Sequence, residues 1–353
     1  MDHSKLLDEL LETVAKEGGS DLHLSEGRHP VIRVAGFLIP LIKWQPLTRS
    51  DMEGVLSVLL SAANKKEFLE NKEVDFGYNY RDVARFRGNA FYRLGKMAVA
   101  LRLIPRQIRT LEELNLPDIL GSFAKRQQGF FLCVGPVGHG KSTTLATLIE
   151  MINQARLEHV VTIEDPIEYI FEPKKSIIDQ REVKIDTMDF HRALKSVFRE
   201  DVDVLMVGEM RDPETIATAV TAAETGHLVF STLHTNTAAQ TIDRIVDSFP
   251  ADQQAQIRIQ LAGALAGVFS QRLIPRISGG LIPAYELLIN NTAVANLIRE
   301  RRTHEINTVI ETSSGEGMVE LNRSLASLVQ RGEITVESAY MFSTNPKILE
   351  KML

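Results

Sequence analysis

The chain of 353 residues holds a single cysteine, Cys133. That excludes an internal disulfide and any four-cysteine zinc module. It holds one tryptophan, and aromatics make up only 6% of its residues, too few for the stacked-ring platforms that bind single-stranded nucleic acid. No apolar run approaches the ~20 residues a helix needs to cross a bilayer. The opening stretch MDHSKLLDELLETVAKEGG has no signal-peptide core. Asp2 stands where N-myristoylation needs glycine, and the closing KML has no prenylation cysteine. A cytoplasmic location without direct membrane insertion is therefore expected. The net charge of −6 argues against a dedicated nucleic-acid binder. The remaining bulk composition, 44% apolar and 24% charged, is that of a globular protein, and the length suits two or three domains.

Periodicity divides the chain. Leu6, Leu7, Leu10, Leu11 and Val14 lie on one helical face, which ends at Gly18-Gly19. Short strands follow over 21–41, a helix over 48–69, and strands again over 76–104. Residues 1–105 thus read as a small α+β domain. Residues 106–118, bounded by Pro105 and Pro117, read as a linker. Residues 119–283 alternate strand and helix, which predicts a parallel sheet covered on both faces. Residues 284–353 read as mainly helical, over 293–301, 321–330, 336–342 and 346–352. No internal repeat is visible.

The strongest motif is GPVGHGKS, Gly135 to Ser142, which fits G-x-x-x-x-G-K-[ST] at each fixed position. An apolar strand, Phe130–Val134, precedes it. A helix with Leu145, Leu148, Ile149 and Ile152 on one face follows. Strand, glycine loop and helix make a phosphate cradle. Gly135, Gly138 and Gly140 let backbone N–H groups turn inward, and the helix N-terminus adds partial positive charge. Pro136, Val137 and His139 fill the variable positions. Lys141 is expected on the β- and γ-phosphates, Ser142 on Mg²⁺, and Thr143 beside them.

Acids end two further strands. Glu164 follows Val160–Ile163 and opens EDPIE; carboxylates at a strand's carboxyl end can hold Mg²⁺ or its waters. Glu168 is a weaker candidate. Glu209 ends the strand Val204–Glu209, with Gly208 where such strands often place Asp, and is the candidate to orient or activate the attacking water. A helix cap near Pro213 is the structural alternative for Glu209. A third strand, Gly226–Asn236, is polar at its end, where Ser231, Thr232, His234, Thr235 and Asn236 cluster as a γ-phosphate sensor would. His234 is preferred to His227 for that role.

Residues 81–109 carry Arg81, Arg85, Arg87, Arg93, Lys96, Arg102, Arg106 and Arg109 against Asp82 alone, a net +7 inside a chain of −6. A solvated strand face, arginine fingers for the nucleotide site and a nucleic-acid stripe compete for this island, the stripe opposed by sparse interleaved aromatics and the overall charge. Arginine fingers are favoured for two or three residues, because charge builds on a transferring phosphoryl group.

GPVGHGKSTT, VTIEDPIEY and VLMVGEMRDPETIATAVTAAETGHLVFSTLHTNTAAQTIDRIVDSFP resemble, in order, the Walker A, Asp box, Walker B and His box of the secretion-type ATPases. SDLHLSEGRHPVIRVAGFLIPL, ARFRGNAFYR, SQRLIPR and AYELLINNTAVANLIRERRTHEI resemble the flanks found in the pilus-retraction branch of that superfamily. The resemblance implies a PAS-like α+β domain followed by a RecA-like P-loop NTPase domain with a helical C-terminal region. It implies a homohexamer that binds ATP and Mg²⁺ between its domains and acts on an inner-membrane platform protein of the type IV pilus machine, peripheral to that membrane. A paralogous pilus ATPase is a further partner it brings to mind, and no nucleic acid is implied. By position, Lys141, Ser142 and Thr143 hold phosphate and metal, Glu164 belongs to the Asp box, and Glu209 is catalytic. His234 and His227 belong to the His box, and Arg85, Arg87 and Arg102 fall in the arginine-finger region. An assembly or type II secretion motor and a non-hydrolysing scaffold subunit are the alternatives. The missing zinc motif and the missing extra N-terminal domain favour retraction.

This sequence departs from the family pattern at Val137 and His139, where Thr and Ser are usual, and at Ala295, where AVANLIRE lacks the usual arginine. His139 is expected to face solvent in part and to contribute mainly its backbone N–H.

Overall fold

The computed structural model describes residues 2–34, 36–81, 84–104 and 107–353. Ala35, Asp82, Pro105 and Arg106 lie outside the described residues. The chain forms two compact units, Met1–Gln107 with Pro166–Ile170, and Ile108–Asp165 with Phe171–Leu353.

The first unit runs α1 (His3–Lys16), β1 (Gly19–Ser25), β2 (Val31–Val34), β3 (Phe37–Pro40), α2 (Arg49–Leu59), α3 (Ala62–Asn71), β4 (Glu73–Tyr80), β5 (Ala84–Arg93) and β6 (Lys96–Ile104). Asp2 caps α1 by accepting from the Ser4 and Lys5 N–H groups, and the helix buries Leu6, Leu7, Leu10, Leu11 and Val14. The strands pair antiparallel in the order β3-β2-β1-β6-β5-β4. Gly88 on β5 makes room for the Phe76 ring: a Cβ there would lie 2.3 Å from Phe76 Cζ. The helix expected over 48–69 is two helices. Leu60 is extended, and Ser61 starts α3 by capping the Asn64 N–H, so a polar cap inside the periodic stretch ends one helix and begins the next.

The second unit runs α4 (Gly121–Ala124), β7 (Gly129–Val134), α5 (Lys141–Ala155), β8 (His159–Glu164), β9 (Ile177–Glu182), α6 (Phe190–Val197), β10 (Val204–Val207), α7 (Pro213–Glu224), β11 (Leu228–Leu233), α8 (Ala238–Asp247), α9 (Gln254–Ala264), β12 (Leu265–Pro275), β13 (Leu281–Ile289), α10 (Thr292–Arg299), α11 (Ile306–Thr312), α12 (Leu321–Gln330), α13 (Val336–Phe342) and α14 (Pro346–Glu350). Its strands lie in the order β13-β12-β7-β11-β10-β8-β9. Among the described residues, only the β12–β13 pair of these strands is antiparallel. Strands β7, β10 and β11 are buried at every position, which is why they read as continuous apolar runs.

Strand β13 extends past residue 283, so residues 284–289, expected in the helical region, belong to the sheet. Ala284, Leu287 and Leu288 are buried there against β12. Leu111 and Leu116 are also buried, so the stretch expected as a linker packs its leucines inward. Ala295 is buried within the core of the second unit; the long charged side chain usual at that place would not fit there without disturbing the packing. Among the described residues, no helix is long and apolar enough to cross a membrane.

Cys133 lies inside β7 with no exposed surface, and burial pushes its thiol up to about 12. The native protein is therefore expected not to react with a thiol reagent at pH 8, and to react once when denatured. Rapid labelling without denaturant would contradict the buried position.

Candidate nucleotide site

Four neighbouring parallel strands, β7, β11, β10 and β8, bring their carboxyl ends to one edge of the sheet. The loop 135–140 leaves β7, His234 follows β11, Glu209 lies just beyond β10, and Glu164 closes β8. Strand spacing sets this row of groups across about 14 Å. Residues far apart in sequence meet because each stands at the same end of its strand.

The glycine loop has the backbone its motif predicts. Gly135, Gly138 and Gly140 take φ of +140°, +78° and +81°. Gly140 begins α5 in a left-handed conformation, and no side chain caps it. The first N–H groups of α5 therefore point out of the helix, as an anion site needs. Ser142 and Thr143 sit half-buried in that first turn, and Val137 is exposed at the crest. Lys141 is buried, and its Nζ donates to the Gly135 and Pro136 carbonyls at 2.7 and 2.8 Å and to His234 Nδ1 at 3.3 Å.

That last contact fixes the His234 ring. With Nδ1 accepting from an ammonium, the ring proton sits on Nε2, which faces Glu209 Oε2 at 3.9 Å. Partial burial and the charge of Lys141 hold the imidazole below its ordinary pKa, so it is neutral at physiological pH. Glu209 Oε1 in turn meets Arg211 at 2.7 Å. Lys141, His234, Glu209 and Arg211 thus form one continuous polar row. The cap of α7 is Asp212, whose carboxylate accepts the Thr215 N–H at 2.8 Å; Glu209 is not spent on capping. Glu164 is buried, with Oε1 accepting from Thr162 at 2.7 Å. A Cβ at Gly208 would lie 3.3 Å from the Ile163 carbonyl, so the usual Asp would press on the backbone of the next strand.

Several expected site residues go elsewhere. His227 is corrected: it precedes β11, at the opposite end of the strand from the loop. Its carbonyl accepts from Gly129 at the start of β7, and its Nδ1 lies 3.0 Å from the Ala222 carbonyl. Ser231 and Thr232 donate to the carbonyls of Val207 and Gly208, so they pin β10 in place of sensing phosphate. His139 does more than lend its N–H: its Nδ1 accepts from the Leu273 N–H at 2.9 Å.

The arginines belong to the first unit. Arg87 and Arg102 are direct cross-strand partners, and Arg85 shares their face of the sheet. Arg102 pairs with Asp21 at 2.9 Å, Arg87 with Glu168 at 3.0 Å, and Arg85 donates to Asn79 at 2.8 Å. Glu168, the weaker acidic candidate, is thus an ion-pair partner.

Residues 3–280 match the family model described as "Type II/IV secretion system protein". The chain belongs to the type II/IV secretion system protein family. It is 44% identical over 94% of its length to the type IV pilus retraction ATPase PilT of Pseudomonas aeruginosa, of which 96% is covered. It is 46% identical over 88% of its length to a twitching motility protein of Neisseria gonorrhoeae, of which 83% is covered. A crystal structure of the pilus retraction motor PilT with bound ADP superposes at a TM-score of 0.91, with 46% identity and 98% of each chain covered.

Three groups of this secretion-family site escaped the sequence reading. Gln271, buried on β12, touches the glycine loop. Ser270 donates to the Asn236 carbonyl at 2.8 Å, and Glu286 accepts the Ala238 N–H at 2.7 Å, so both hold the segment after His234. Burial raises the Glu286 carboxyl to about 7. SQRL and AYELL were visible as strings, yet no spacing rule puts β12 beside β7. Arg211 was visible in MRD, but its pairing with Glu209 depends on the turn after β10.

Proposed function

We propose that this chain is an ATP-hydrolysing motor that powers type IV pilus retraction. The observation that carries the proposal is the row Lys141, His234, Glu209 along one sheet edge, in a chain that resembles a pilus retraction ATPase over nearly its full length. The backbone of residues 135–140 would cradle the phosphates, Lys141 would turn to the β- and γ-oxygens, and Thr143 would stand beside them. Ser142 and Glu164 would hold Mg²⁺, directly or through water; both lie at the same strand-end edge. Held there, the ion would supply positive charge against that developing on the phosphoryl group. Glu209 would orient the attacking water and take its proton. Neutral His234, between Lys141 and Glu209, would report the γ-phosphate to both.

We read residues 1–105 as the PAS-like domain, 106–118 as the linker, 119–283 as the RecA-like core and 284–353 as the C-terminal region. Arg87 and Arg102 would leave their acidic partners, and Arg85 its contact with Asn79, to supply arginine fingers. The working form would be a homohexamer in the cytoplasm, peripheral to the inner membrane through a platform protein of the pilus machine. Deleting the gene in its native host tests the reading. Cells crowded with pili that cannot twitch are the expected outcome, whereas bald cells would assign the chain to pilus assembly.

A further inference from the structure

Gln271 sits on β12, directly beside the loop strand β7. Its amide spans the turn from the loop into α5. Nε2 donates to the His139 carbonyl at 2.9 Å, and Oε1 accepts from Thr144 Oγ1 at 2.6 Å. Residues 140–143, which carry the helix-start N–H groups and Lys141, lie between those two anchors. Two residues further along β12, the Leu273 N–H donates to His139 Nδ1 at 2.9 Å. The loop crest is therefore held from β12 by a side chain reaching each way. Gln271 is 3% exposed, so water does not compete for its amide.

We propose that Gln271 and His139 are positioning residues for the phosphate loop, fastening its crest and the first turn of α5 to β12 so that the cradle is preformed before nucleotide arrives. A loop whose N–H groups already converge loses less conformational freedom on binding an anion. The histidine supplies what the family's usual serine cannot, an acceptor on a side chain long enough to reach the next strand. To accept at Nδ1 the ring must be neutral with its proton on Nε2. Burial, with Lys141 and Arg272 nearby, holds its pKa below the ordinary value, which keeps the acceptor available.

This inference rests on the nucleotide-binding part of the reading above, and its test separates from hydrolysis. Three variants are compared with wild type by equilibrium binding of ADP with Mg²⁺, by steady-state phosphate release and by thermal melting. His139→Ala removes the acceptor. Gln271→Glu keeps an oxygen for Thr144 and turns a second oxygen toward the His139 carbonyl. His139→Asn restores an acceptor at about the position of Nδ1. A preformed cradle grips ground state and transition state alike, so the loss belongs in affinity. His139→Ala and Gln271→Glu are expected to raise the ADP dissociation constant and the KM for ATP together by about fivefold, the worth of one hydrogen bond. His139→Asn is expected to recover most of that loss. Wild-type ADP affinity in folded His139→Ala and Gln271→Glu, with only a lower melting temperature, would make the contacts merely structural and overturn the proposal. So would a loss confined to kcat. Wild-type protein that binds ADP but never hydrolyses ATP would sink the motor reading and leave this binding comparison standing.

Discussion

Glu209→Gln removes ATP turnover, lowering kcat by roughly 10² to 10⁴, the usual worth of a positioned general base, while nucleotide remains bound. The side chain is 18% exposed at the end of β10, open to the sheet edge yet fixed by Arg211 at 2.7 Å. Glutamine preserves the shape and can still face Arg211 through its carbonyl. It cannot accept a proton from water, and it has no charge to offer the developing nucleophile. The defect should therefore fall on kcat, with ADP affinity within about twofold of wild type. Phosphate release and ADP binding on the same preparation check both halves. Turnover at the wild-type rate would move the base elsewhere, with Glu164 the next acid along the edge. A scaffold subunit gives a different result, with no turnover in wild type at any Mg²⁺ concentration.

The groups in this row could be read from sequence because of the geometry of parallel sheets. A buried parallel strand is a short apolar run, and the polar residue that ends it lies at the ligand edge. Phe130–Val134, Val204–Glu209 and Gly226–Asn236 each announced a strand this way, and the observed strands β7, β10 and β11 fall there, the last two shorter than read. His227 fell within the stretch read as the third strand, but it precedes β11, and a residue ahead of a parallel strand sits at the far edge. Strand order was out of reach. Nothing in SQRLIPR says that it crosses back to lie beside β7, so Gln271 and the true role of His139 could not be found. The helix break at Leu60-Ser61 was hidden for a different reason. Apolar periodicity continues through it, and one serine cap outweighs the pattern.

The same neighbour strand decides the fate of the loop's first glycine. Gly135 takes φ of +140°, and a Cβ there would stand 2.3 Å from the carbonyl oxygen of Gln271. The obstacle is backbone, held in the ladder by β13 through the Gln271–Tyr285 pair and one residue beyond the last β7 pair, Ser270–Val134, so it cannot swing aside as a side chain would. Gly135→Ala must displace the loop, and with it the N–H groups and Lys141, whose ammonium donates to the Gly135 carbonyl itself. We expect ADP affinity to fall by at least ~100-fold, the result of misaligning several charge-assisted hydrogen bonds at once, and turnover to vanish with it. Gly138 provides the internal comparison. Its φ is +78°, and a Cβ there would meet nothing within 4 Å, so Gly138→Ala carries only the ~1–2 kcal/mol of a left-handed L-residue and should bind ADP within about tenfold of wild type. If the two variants bind alike, close approach of β12 is not what requires glycine at the start of the loop. A melting curve for each, run without nucleotide, separates a displaced loop from an unfolded unit: Gly135→Ala should still melt cooperatively, because the clash lies at the sheet edge and the core beneath it is untouched.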